Sequence, residues 1–176
     1  GRLGTQYLID MGHHRIAFIY KSDTQSGVFR HAGYTESLAA NDIAYNSRLG
    51  RSADPARYGG RPGAALTQAI LEAAPEQPTA IFYFNDEMAL QGYDYLASCN
   101  LRIPDDVSVV GVDNIRESSL VSPPLCTFNH PKYVMGKLAA ELMLARLDSY
   151  AYHTEYIVTM KLELIERGSV ADLRAD

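Results

Sequence analysis

The chain reads as an α/β protein built on a parallel sheet with helices on both faces, followed by a C-terminal segment of different character. Three observations lead there. Helical and strand patterns alternate along residues 1–113. The strands are short apolar runs without polar alternation, which is the mark of a sheet covered on both sides. Two of them, in FYFNDEMAL (residues 82–90) and IPDDVSVVGVDN (103–114), end in small polar clusters. In open α/β sheets the edge formed by strand carboxyl ends is where small ligands bind, so Asn85 and Asp113 are expected to face one cleft.

Leu3, Tyr7, Leu8 and Met11 fall at helical spacing, and Gly12 follows where a left-handed cap is favoured. RIAFIY (15–20) reads as a buried strand and 21–27 as a polar loop. Phe29, Gly33, Tyr34 and Leu38 fit a helix that Asn41 and Asp42 end. Residues 43–49 read as a weakly patterned strand, and 50–62, rich in Gly, Pro and charge, as a loop. Leu66, Ile70 and Leu71 mark a helix stopped by Pro75 and Pro78. A strand at 79–84 leads into a helix from Asp86 that buries Met88, Ala89, Tyr93 and Leu96, and a strand at 107–112 follows. Beyond Asp113 the pattern changes: 114–124 is irregular, 125–129 a short strand, and 133–147 a long helix with Val134, Leu138, Leu142 and Ala145 on one face. Residues 156–166 alternate enough for one or two strands.

With 176 residues, 47% hydrophobic and 21% charged, the chain has the composition of a globular domain, or of two small ones, and not of a disordered or fibrous protein. No apolar run approaches the roughly 20 residues that cross a bilayer, and GRLGTQYLID lacks the order of a secretory signal, so a cytoplasmic protein without membrane contact is expected. The net charge is −5 with Lys and Arg scattered, which argues against DNA contact by this segment. Cys99 and Cys126 are isolated and are expected to be reduced, small buried groups. The histidines, His13, His14, His31, His130 and His153, have no zinc-type spacing, and no nucleophile elbow, P-loop or dinucleotide turn is present. The expectation is therefore a protein with no catalytic residues, metal or cofactor.

Each candidate ligand residue also has an ordinary reading. Asn85 and Asp86 both precede a helix, and either can be its N-cap; Asp86 is taken as the cap and Asn85 as the ligand group. Asp113 with Asn114 can equally close a turn through local side-chain bonds. Tyr83 or Phe84 is a candidate to stack on a sugar ring, although burial in a doubly covered strand explains both.

These segments resemble the effector-binding domain of the LacI/GalR family of bacterial transcription regulators. FND-x-MA and DVSVVG-x-D carry the likeness, together with LIDMGHHRIAFI, FRHAGYTESL, PPLCTFNHP and LELIERGSV, in family order along nearly the whole chain. KSDTQSGVFRHAGY and FNHPKYVMGKLAAE look most like the arabinose-responsive subgroup. The resemblance implies a periplasmic-binding-protein-like type I fold of two Rossmann-like lobes. Residues 1–124 match the second lobe, with 1–12 as the entry helix between lobes, and 125–176 match a segment that returns to the first lobe and back. The start of the first lobe and the DNA-binding domain are not matched. On that division, 125–129 and the following helix should pack on another lobe and leave apolar surface that self-association buries.

The resemblance also implies roles. Arg30 in R-x-x-G-Y, Asn85 in FND and Asp113 after VVG-x match the positions that hold the effector, against the ordinary expectation of an exposed helical arginine. A guanidinium, a carboxamide and a carboxylate are the planar groups that each meet two neighbouring hydroxyls of a sugar or polyol. Lys21, Asp23 and Gln25 lie in a loop at the same edge, and Asp23 is the further ligand candidate; Lys132 stands where the family closes over the ligand, commonly with an aromatic residue. The expected function is the sensing part of a dimeric regulator, a repressor, which binds a small, arabinose-like effector between lobes. Operator DNA would be bound only through a domain outside this chain, and half a cleft should bind effector weakly. A transporter's sugar-binding protein of the same fold and an α/β enzyme are the alternatives.

Overall fold

The computed structural model describes residues 1–53, 60–148 and 157–174. Among them, one sheet carries its strands in the order β2-β1-β3-β4-β5-β6, where β1 is Ile16–Lys21, β2 Gly50–Ala53, β3 Ala80–Tyr83, β4 Ser108–Val112, β5 Cys126–Asn129 and β6 Glu163–Ile165. The first five are parallel and β6 runs antiparallel to β5. The helices are α1 (Arg2–Asp10), α2 (Gln25–Ala40), α3 (Pro62–Ala73), α4 (Asp86–Ser98) and α5 (Lys132–Asp148), with a 3-10 turn at Arg116–Ser119.

Strand side chains divide by parity between two cores. Ala17, Ile19, Ile81, Tyr83 and Val109 face Leu66 and Ile70 of α3 and Met88, Ala89 and Leu96 of α4. Ile16, Phe18, Ala80, Phe82, Val110 and Val112 face Leu8 of α1 and Tyr34 and Leu38 of α2. Successive side chains leave a strand on opposite sides, so two covered faces require an unbroken apolar run. Each fully buried Ile or Phe contributes roughly 1.5–3 kcal/mol of transfer free energy. The buried phenols find partners: the Tyr34 hydroxyl donates to the Ile16 carbonyl at 2.8 Å. Thr67 donates to the Gly63 carbonyl at 2.7 Å, so the Tyr83 hydroxyl, 2.6 Å from Thr67 Oγ1, is the donor in that pair.

The polar stretch 21–27 is in part helix. Thr24 caps α2, its hydroxyl accepting from the Gly27 N–H at 3.1 Å. Gly27 lies against the end of β1, where a Cβ would sit 1.7 Å from the Lys21 carbonyl oxygen. This close approach needs glycine, and it brings the start of α2 over the sheet edge. The strand expected at 43–49 is instead a turn: Arg48 and Leu49 N–H groups bond to Asn46, and β2 begins at Gly50 in register with Phe18. The rest of the expected loop, 54–59, is outside the described residues. Gly12 has the expected left-handed backbone, φ +87°.

Two expectations, for residues 125–129 and for the cysteines, are corrected. Leu125, Cys126 and Thr127, expected in a segment packed on another lobe, are fully buried in this sheet, where β5 pairs with β4 (Val110 opposite Cys126) and shares its core. In α5, Leu138 and Leu142 are half-buried, whereas Val134, Met143, Leu144 and Leu147 are exposed and Tyr133 is 83% exposed. The helix lies along residues 158–162 and has no extensive packing on the sheet. Cys99 is exposed, and only Cys126 is a buried thiol. Of the expected strand region at 156–166, Glu163–Ile165 is strand, while residue 156 is outside the described residues. No described helix is long and apolar enough to cross a membrane.

Residues 168–173 stitch the sheet together at the end opposite the candidate site. Ser169, fully buried, donates to the Val109 carbonyl at 2.6 Å and accepts from the Cys126 N–H at 2.7 Å. The Leu173 N–H reaches the Met11 carbonyl at 2.8 Å. His13, 1% exposed, closes this seam. The Ala171 carbonyl, 3.2 Å from Nε2, can only accept, so Nε2 carries the proton and Nδ1 accepts from the Thr79 hydroxyl at 3.0 Å. Burial holds the His13 pKa below its ordinary value. The unfolded chain therefore takes up this proton first as pH falls. Stability from the neutral ring is complete above about pH 6.5 and is lost as pH drops through the lower folded pKa. Urea titrations between pH 7.5 and 5 should show a fall in stability that His13→Gln, already weakened at pH 7.5, shows to a smaller degree.

Candidate functional site

The order β2-β1-β3 means that the chain leaves β1 for one side of the sheet and then crosses to the other. At such a reversal the loops after the two central strands diverge and open a crevice, which is where open α/β sheets hold ligands. Here the carboxyl ends contribute Lys21 from β1, Phe84 and Asn85 after β3, and Asp113 after β4.

Arg30 reaches this edge from α2. Its Nη1 donates to the Phe84 carbonyl, and its Cζ stands 4.4 Å from the centre of the Phe84 ring. The Lys21 ammonium lies 5.5 Å from the same ring centre. Both cations are drawn to the electron-rich face of the ring. Burial lowers the Arg30 pKa and the nearby Asp113 carboxylate opposes that shift. The guanidinium is thus held on an aromatic ring, with further N–H donors beyond the one used on Phe84.

The expectation that Asp86 caps α4 is corrected. Asn85 is the N-cap of α4, its Oδ1 accepting from the Met88 N–H at 3.0 Å. This commits the carboxamide oxygen to the start of the helix. Asp86 is fully buried and works elsewhere. One carboxylate oxygen accepts from the Ile115 N–H at 3.0 Å and the Ser118 hydroxyl at 2.5 Å; the other accepts from the Thr127 hydroxyl at 2.6 Å. Burial raises its pKa, against the opposing effect of these hydrogen bonds. One side chain thereby ties the start of α4, the loop after β4 and β5 to each other.

That loop carries Asp113 and Asn114, with φ of +111° and +48°. The Asp113 N–H donates to the Phe128 carbonyl at 2.9 Å and the Asn114 N–H to the Thr127 hydroxyl at 3.3 Å. A non-glycine residue so placed costs on the order of 1–3 kcal/mol, and the surrounding bonds hold it there. Lys132, the first residue of α5, donates its ammonium to the Asp113 carbonyl at 3.2 Å, so it braces the Asp113 backbone where a residue closing over a ligand was expected. Asp23 is exposed beside the α2 cap, and among the described residues it makes no hydrogen bond or ion pair with Arg30, Asn85 or Asp113. Tyr83 is wholly in the core and cannot stack on a sugar, and the half-buried Phe84 ring carries the Arg30 guanidinium.

The structure thus gathers Arg30, Asn85 and Asp113 at one edge and adds Phe84 and Lys21. Asp86 was missed because two adjacent residues of capping type give no sign of which one turns inward. A cavity of about 170 Å³ lies against Arg30, lined also by Phe82, Val112, Phe128 and Leu162. A larger depression of about 590 Å³ lies away from this edge, between α4 and Pro123; its Arg102 is already paired with Asp105 and Asp106. No group of three or more metal-ligating side chains occurs among the described residues.

A family model described as "Periplasmic binding protein-like domain" matches residues 5–170. Proteins called "HTH-type transcriptional repressor PurR" are similar: that of Vibrio campbellii is 36% identical over 98% of this chain and 51% of its own length. The Vibrio cholerae protein is 37% identical, with 98% and 50% covered. The chain spans about half the length of the curated relatives it matches. Among solved structures, the transcriptional regulator CelR in complex with cellobiose is 33% identical, with TM-score 0.83, over 94% of this chain and 49% of that one. A LacI-family regulator of Enterococcus faecium with bound ribose is 26% identical, with TM-score 0.85, over 98% and 62%. These similar proteins are transcriptional regulators, and none of those described here is an arabinose-responsive one.

The Asp86 clamp yields a stability test. Asp86→Ala strands an N–H and two hydroxyls in the interior and should destabilise by about 3 kcal/mol or more. Asp86→Asn keeps one oxygen for Ile115 and Ser118 and turns its NH2 toward Thr127, whose hydroxyl can rotate to accept. It should lose less than half as much, as read from urea unfolding midpoints at unchanged m-value.

Proposed function

Because the chain belongs to the periplasmic binding protein-like domain family, we propose that it is the ligand-sensing part of a bacterial transcriptional regulator, a repressor. A small sugar or polyol binds at the edge of the sheet and changes the affinity of the whole protein for operator DNA. The observation that carries this reading is the gathering of a guanidinium, a carboxamide and a carboxylate, Arg30, Asn85 and Asp113, at the crevice between strand ends. Each is held by groups other than its fellow ligand residues: Arg30 by Phe84, Asn85 by Met88, Asp113 by Phe128 and Lys132. Hydroxylated guests are gripped by such planar groups without reorganising the protein.

The names of similar proteins support the same class, as repressors and as regulators solved with cellobiose or ribose. An arabinose-like pentose is a finer proposal, carried only by the wording of KSDTQSGVFRHAGY and FNHPKYVMGKLAAE. We further propose that a first lobe and a DNA-binding domain accompany this chain in the whole protein, that the protein is a dimer, and that it performs no catalysis. Coupling between effector and operator requires that the effector contact open and closed arrangements differently, typically by 1–3 kcal/mol. A guest held between two bodies meets that condition, since closure brings further groups onto it.

The test is calorimetry on the complete protein against pentoses, hexoses, disaccharides including cellobiose, sugar phosphates and heterocyclic bases. Arg30→Ala and Asp113→Gly, the latter chosen because glycine tolerates the positive φ, should each weaken effector binding by about 100-fold or more at unchanged circular dichroism. Asp23→Ala should bind as the parent does. Parent-like affinity in either of the first two variants removes that residue from the site.

A further inference from the structure

The chain leaves the sheet after Asn129, runs through α5, and returns at Glu163. β5 and β6 pair side by side, with Thr127 opposite Ile165, Phe128 opposite Leu164 and Asn129 opposite Glu163. They form a two-stranded neck for the excursion between them. Three side chains from this neck and its immediate continuations converge on one dipeptide, Asp113–Asn114. Lys132 holds the Asp113 carbonyl at 3.2 Å. Arg167, two residues beyond β6, donates Nη2 to the Asn114 carboxamide oxygen at 2.7 Å and Nη1 to the Leu125 carbonyl at 2.8 Å. The Asn129 side-chain oxygen, at the last residue of β5, stands 3.5 Å from the Asn114 NH2 group.

We propose that Asn114 and Arg167 are positioning residues of the ligand site, through which the placement of the neck sets the placement of the Asp113 carboxylate. The inference rests on the reading of Asp113 as a ligand group. Its physical basis is the geometry of the turn. Asp113 and Asn114 both have positive φ, so the turn is not the one that the backbone adopts unaided. On one side the buried Asp86 carboxylate grips Ile115 and Ser118, which cap and form the 3-10 turn that follows. On the other side the hold comes from the neck, and its strongest bond is the charge-assisted one from Arg167. A shift of β6 relative to β5 moves the Arg167 guanidinium, and with it the carboxamide that adjoins Asp113. The Asn114 side chain is the joint, because it donates to Asn129 at the end of the departing strand and accepts from Arg167 just beyond the returning one.

The test is hydrogen exchange of the Asp113, Asn114 and Ile115 amides, all hydrogen-bonded here, in the complete protein without ligand. Asn114→Gly and Arg167→Gln should each speed exchange at these amides by about tenfold or more, with β1 and β3 amides unchanged within about twofold. The double variant should exchange no faster than the faster single one, since both remove the same link. Asn114→Asp tolerates the same φ and offers Arg167 a charged acceptor, so it should keep parental protection; adding Arg167→Gln to it should abolish that protection. Unchanged exchange in both single variants, multiplying effects in the double variant, or an Asn114→Asp chain as unprotected as Asn114→Gly overturns the proposal. Should Arg167→Gln unfold the chain, seen as lost protection in β1 and β3, the contrast between Asn114→Gly and Asn114→Asp decides alone. Because no ligand is present, failure here leaves the effector-site reading standing, and failure of effector binding leaves this one standing.

Discussion

Burial of parallel strands on both faces is the constraint from which the rest of the molecule follows. Parallel neighbours need crossover connections, and here the helices cover the sheet from both sides: α3 and α4 on one, α1 and α2 on the other. All five parallel strands then end at the same edge, so polar residues far apart in the chain become neighbours without any local signal between them. Arg30 and Asp113 are 83 residues apart in sequence and yet act electrostatically on each other. The reversal between β1 and β3 decides where along that edge a guest has room.

Within this frame the edge is organised by charges withdrawn from solvent. Asp86 spends its hydrogen-bonding capacity on the Ile115 amide and the Ser118 and Thr127 hydroxyls, and so fixes a turn that has two residues at positive φ. Arg30 lies on the Phe84 ring with one N–H on the Phe84 carbonyl, so its remaining donors are directed before any ligand arrives. Such preorganisation lowers the ordering cost of binding. It also separates two kinds of residue that look alike in a list. On the proposed reading Asp113 is offered to a guest, whereas Asp86, equally acidic, has both carboxylate oxygens committed to the scaffold.

The C-terminal third has two parts with different physics. Residues 163–173 belong to the body of the domain through β6, the buried Ser169 and the Ala171 carbonyl on His13. Helix α5 stands outside it, apolar and exposed, with Tyr133, Met143, Leu144 and Leu147 uncovered.

The amino-acid sequence by itself determined the α/β class, four of the parallel strands, the helices on both faces and the edge at which Asn85 and Asp113 meet, because apolar periodicity and strand-end polarity are local and survive without coordinates. It also marked Gly12 as a helix terminus. It misplaced β2, where the turn at Asn46 outweighs the β-branched residue Ile43. Only the tertiary structure decided which of Asn85 and Asp86 caps α4 and which turns inward, that β5 completes this sheet, that Lys132 braces Asp113, and that Arg167 meets Asn114 across 53 residues. The reason is the same in each case: the partners of a polar side chain are chosen by what packing brings within about 3 Å, and a one-dimensional pattern holds no record of distance across the sheet.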